Sequence, residues 1–94
     1  MRGLLAMKSK YVYERMELEG EIIAVPVGEN ASDLHAVLHL NEEAMRIIEL
    51  LRDETTEKMV ISKLSSEYSI SEEEISPLVH SFINQLRNEG LLEV

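Results

Sequence analysis

The chain has no cysteine and no tryptophan, one phenylalanine, two prolines, and half as many basic as acidic residues. Without cysteine, neither a disulfide framework nor a thiolate metal site can be built. Nine Lys and Arg against 18 Asp and Glu leave a net charge of −9. Phosphate backbones reward basic clusters and repel acidic surfaces, so this balance excludes sequence-independent affinity for DNA or RNA. It suits a basic peptide or protein partner. No apolar run approaches the ~18–20 residues that span a bilayer. The apolar stretch of "MRGLLAMK" is too short for a signal-peptide core, and a cytoplasmic location fits both facts. What the chain does have is 45% hydrophobic residues over 94 positions, enough for one small core. Residues 1–9 are expected to form a flexible tail ahead of one domain over residues 10–94.

The pattern changes at Asn41. Before it, "KYVYERMEL" and "GEIIAVPV" are β-rich runs around Gly20 and read as a hairpin. Pro26 has no N–H to give a ladder, so it belongs at an edge, a bulge or a strand end. After the polar "GENASD", the segment "LHAVLHL" alternates. Leu34, Ala36, Leu38 and Leu40 fall on one face, the core candidate, and His35, Val37 and His39 on the other.

After Asn41 the period is helical. Asn41 is a strong N-cap type, and Glu42 and Glu43 suit the positive end of the helix dipole. Ala44, Ile47, Ile48 and Leu51 make one apolar face. "RDETT" interrupts the pattern, with Thr55 or Thr56 available to cap a second helix that offers Met59 or Val60, Leu64 and Tyr68. Ser71 and Glu74 form a capping-box pattern for a third helix, whose face is Ile75, Val79, Phe82 and Leu86, flanked by Leu78 and Ile83. Pro77 either distorts one helix from about Glu72 to Asn88 or starts it after a Ser76 cap; the single distorted helix is preferred. Gly90 is placed to end it. The expected class is α+β: a winged helix-turn-helix-like domain, with three short antiparallel strands followed by three helices.

A winged helix that binds DNA offers basic and amide side chains to the major groove. Here the last helix region carries Glu72, Glu73, Glu74 and Glu89 against Arg87, and phosphates would repel it. His35 and His39 stand four apart, which in a strand is about 13 Å and too far for one ion. His80 reads as a surface residue, so no metal site is expected. Without a Gly-rich phosphate loop, a nucleophile motif or an enclosed carboxylate pair, no catalytic residues and no cofactor are expected either. The third strand is different: an unpaired edge is a template for another chain. Beside the third helix it would form a groove into which an extended peptide could add as a strand. The alternative is an acidic winged-helix module for protein–protein contact or homodimerisation.

The order of these features resembles the PqqD family, the pyrroloquinoline quinone biosynthesis protein D, and the related RiPP recognition elements. The resemblance rests on Leu40-Asn41, Glu43-Ala44, Ile47-Ile48 and Leu50-Leu51, followed by "ETTEKMVISKL", Glu67-Tyr68, "ISEEEI" and "FINQLRNEGLL". It implies a non-catalytic peptide chaperone. Such a protein holds the leader segment of a ribosomally synthesised precursor peptide as an added strand and presents it to a modifying enzyme, often a radical SAM protein. Carried onto this sequence, the peptide contacts would be Ala36, Val37, Leu38, His39 and Leu40 from the strand. Leu78, Phe82 and Gln85 would supply the helix wall.

Overall fold

A computed structural model describes residues 6–28 and 37–93. Its elements are β1 (Lys8–Ser9), β2 (Val12–Leu18), β3 (Glu21–Val27), β4 (Leu38–Leu40), α1 (Glu42–Leu50), α2 (Glu57–Tyr68), α3 (Glu72–Asn88) and β5 (Leu92–Glu93). The architecture is the expected α+β one. Strands β2, β3 and β4 form an antiparallel sheet in that order, and three helices follow.

The hairpin closes through Glu19 and Gly20, both at positive φ (52° and 84°). Two such residues in a two-residue loop match the right-handed twist of the flanking strands. Each helix starts on a side-chain cap: Asn41 accepts from the Ala44 N–H, Thr56 from Met59 and Ser71 from Glu74. Helix α3 runs unbroken through Pro77. The missing donor falls near the exposed N-terminal end, where the Ser76 hydroxyl bonds back to the Glu72 carbonyl at 2.6 Å.

The core is the apolar face of the helices closed by the inner face of the sheet. Met45, Ile47, Ile48 and Leu51 meet Val60, Leu64, Ile75, Val79, Ile83 and Leu86, with Tyr13, Ile22 and Ala24 above. Helix α1 lies under all three strands, and α3 packs on α2 and α1. Two arginine pairs brace this arrangement. Arg15 of β2 donates twice to Glu42 at the start of α1 (2.9 and 3.1 Å), and Arg46 of α1 donates twice to Glu67 of α2 (2.8 Å each).

Several expectations need correction. Residues 1–5 lie outside the described residues, but Met7, Lys8 and Ser9 are no tail. The Met7 side chain is buried, its backbone pairs with Thr55, and β1 pairs with β5. An apolar side chain and paired backbone groups hold this segment, and both depend on contacts distant in sequence. Of the expected third strand, Leu34, His35 and Ala36 lie outside the described residues; β4 itself spans three residues, and Val37 precedes it. On α3 the buried position is Ile83 rather than Phe82, which is half-buried. On α2 the open choice between Met59 and Val60 falls to Val60, which is buried, with Met59 exposed.

Candidate functional site

Strand β4 is short because Asn41 ends it and caps α1 in the same residue. The Asn41 Oδ1 accepts from the Ala44 N–H at 2.8 Å, and its carbonyl accepts from the Met45 N–H at 2.9 Å. With no loop between strand and helix, β4 cannot swing away from the helical half without losing that cap. Its other anchor is the register with β3: Leu40 opposite Ile22, His39 opposite Ile23 and Leu38 opposite Ala24. Leu38 and Leu40 therefore point inward, half-buried on the core, while His39 is exposed on the outer face. The expected alternation holds over these residues.

The hairpin also fixes where the backbone groups of β4 point. A two-residue loop makes its flanking pair, Leu18 and Glu21, a hydrogen-bonded one. Antiparallel pairs then alternate in type along the strands, so the N–H and C=O of Ile22 and Ala24 face β4. Their partners Leu40 and Leu38 are committed to β3. The N–H and C=O of His39 face the other way, toward an edge on which no strand is paired among the described residues.

The sheet has a second edge at β2. That strand carries Glu14, Arg15 and Glu17, and charged side chains are the usual way an edge is blunted against pairing. Strand β4 has only His39 as a polar side chain, 3.7 Å from the Glu21 carboxylate. The β4 edge is chemically the more receptive.

On the helical side, Phe82 is half-buried against the core cluster, as Leu38 and Leu40 are from the sheet side. Leu78 is exposed one turn away on α3. Gln85 is exposed in a polar surface depression of about 600 Å³ lined by His80, Ser81, Asn84, Asn88 and Glu89, where its amide donates to Glu89 at 3.4 Å. Gln85 thus stands among polar side chains, three residues on from Phe82 along α3. Val37 is exposed just before β4, and Ala36 lies outside the described residues.

Among the described residues, no group of three or more His, Asp or Glu side chains is arranged to hold a metal ion. No described helix is long and apolar enough to cross a membrane. One buried side-chain polar atom is unpaired among the described residues: the Tyr13 hydroxyl, on the inner face of β2. Burial pushes its pKa up, and the neighbouring Tyr11 and Glu89 add to the shift.

The fold is a small winged-helix-like domain whose sheet ends at β4 on one side and at the more charged β2 on the other. Residues 16–92 match the family described as coenzyme PQQ synthesis protein D, PqqD, and the chain belongs to that family. Among solved structures it is similar to "TbiB1 in Complex with the TbiA(beta) Leader Peptide", with a TM-score of 0.65 at 19% identity, covering 92% of this chain and 94% of that one. At that identity the likeness concerns the fold. No curated protein sequence matched the chain.

Sequence reasoning missed three things. The β1–β5 pair joins two-residue strands whose signal is too short to read. Met45 is buried although it stands beside the regular face of Ala44, Ile47 and Ile48. The third is the orientation of β2. Its alternation sets Val12, Met16 and Leu18 against Tyr13, Arg15 and Glu17, and the more apolar set is the one that faces outward.

Proposed function

We propose that this chain is a RiPP recognition element: a non-catalytic, cytoplasmic peptide chaperone that binds the leader segment of a ribosomally synthesised precursor peptide. The leader adds as a fourth strand along β4 and is presented to a modifying enzyme of the radical SAM type. The observation that carries this reading is the open β4 edge, with the His39 backbone turned toward it and few charges to block it. Family membership and the similar fold of a protein solved with a leader peptide support it. The domain performing this task extends over residues 10–94, together with the N-terminal strand β1.

In strand addition the main chain supplies affinity and the side-chain pockets supply selectivity. The peptide's backbone would pair with Val37 and His39. Its alternate side chains would rest on Leu38 and Leu40, with Phe82 and Leu78 of α3 as the wall; Gln85 would meet a polar residue of the leader. An acidic host suits a leader with basic residues. The test is a fluorescence anisotropy titration with labelled leader segments of short peptides encoded beside the gene. Saturable binding that an unlabelled leader displaces is the expected result. No binding by any of them, with a symmetric dimer through β4 in solution, would replace this reading with the homodimerisation module.

A further inference from the structure

The sheet has an outer face that the peptide reading does not use. Val12, Met16 and Leu18 of β2 are 45, 55 and 60% exposed. They share that face with the half-buried Ile23, Val25 and Val27 of β3, through the pairs Val12–Val27 and Met16–Ile23. An antiparallel sheet that packs one face on a core normally turns polar residues to water on the other. Here β2 does the reverse, placing Arg15 and Glu17 on the inner side, where Arg15 is bonded to Glu42. The core does not require this apolar set, and a contiguous exposed apolar surface marks an interaction site.

Its occupant follows from charge. The polar side chains that β2, β3 and β4 place on this face are Glu14, Glu21 and His39, with no lysine or arginine. A second copy of a chain of net charge −9 would set these carboxylates against its own. A surface that is apolar at its centre and ringed by Lys and Arg complements it instead. The face also runs up to β4: His39, whose backbone faces the open edge, has its side chain on this face beside Glu21. A protein seated there would lie next to an added strand.

We propose that the outer face of the β2–β3–β4 sheet docks the enzyme that modifies the bound peptide, through an apolar surface of that enzyme rimmed with basic residues. This rests on the peptide-chaperone reading, and two separate titrations keep the claims apart. The full-length chain, as wild type, Met16→Glu and Leu18→Glu, is titrated with the modifying enzyme encoded beside its gene, and separately with the leader peptide. Both positions are exposed, so thermal melts should stay near wild type, apart from a small loss in Leu18→Glu, whose carboxylate stands opposite Glu21. Each variant is expected to lose about tenfold or more in enzyme affinity and to keep leader affinity within about twofold. Wild-type enzyme affinity should fall with added salt, as screening weakens Glu14 and Glu21. Enzyme affinity untouched by both substitutions would overturn the proposal. A wild-type dimer in sedimentation that Met16→Glu dissociates would also overturn it, in favour of a second copy. Loss of leader binding in the wild type with enzyme binding intact would overturn the peptide reading and leave the dock standing.

Discussion

Replacing His39 with proline tests whether a backbone donor, and not a side chain, holds the leader. The pairing of Leu38 with Ala24 and of Leu40 with Ile22 leaves the His39 N–H as the donor turned to the open edge. Proline there removes that donor while leaving both inward leucines in place. One main-chain hydrogen bond is worth roughly 0.5–1.5 kcal/mol net, so leader affinity should fall about 2- to 13-fold relative to His39→Ala. The alanine variant is the reference because it also lacks the imidazole beside Glu21. It should bind the leader nearly as well as wild type. Leu38→Pro makes the contrast: its N–H is committed to β3, so it should lower the melting temperature, whereas His39→Pro should leave the melt close to that of His39→Ala. Anisotropy titrations and thermal melts on the four proteins decide the matter. Equal leader affinity of His39→Pro and His39→Ala would refute the reasoning, because the open edge would then not be pairing.

Ile83 is fully buried and Phe82 half-buried, so Ile83→Ala should destabilise by about 2–5 kcal/mol and Phe82→Ala by less. Chemical denaturation showing the reverse order would mean the core face of α3 is rotated. Tyr13→Phe removes a buried hydroxyl without a partner and should leave stability within about 1 kcal/mol of wild type or raise it; a larger loss in the same assay would show that the hydroxyl is bonded. The Arg15 and Arg46 guanidiniums hold the carboxyls of Glu42 and Glu67 below their ordinary value of 4.5. A carboxyl depressed in the folded state adds stability above its unfolded pKa and loses it as pH falls through the folded one. The melting-temperature gap between wild type and Arg46→Ala should therefore be present at neutral pH and close below pH 4.5. A gap that persists well into acid would mean the pair contributes through packing alone.

The helical half was legible because its signals are local. Caps at Asn41, Thr56 and Ser71 and the spacing of Ile47, Ile48 and Leu51 are written within a few residues of where they act. The hairpin around Gly20 was equally plain, since only a residue tolerant of positive φ fits there. What escaped depends on pairs distant in sequence. Met7 is buried because Thr55 and the β1–β5 pair hold it, and nothing in "LLAMKSK" announces those partners. Ile83 outranks Phe82 because the register of α3 against α1 and α2 is set by packing, and adjacent helical positions differ by only ~100°. For the site, alternation identified Leu38 and Leu40 as inward and His39 as outward. Which amides face the open edge needed the hairpin register, which no periodicity contains.

The most direct test of strand addition at β4 is a nuclear Overhauser experiment on the isotopically labelled chain saturated with unlabelled leader peptide. The account predicts cross-strand contacts from the peptide to the Val37 and His39 backbone. It also predicts slowed hydrogen exchange at the His39 amide, with the Leu38 and Leu40 amides little changed because β3 already binds them. Contacts running along the β2 edge, or shifts concentrated on α2 between Met59 and Glu67 with His39 unaffected, would contradict it.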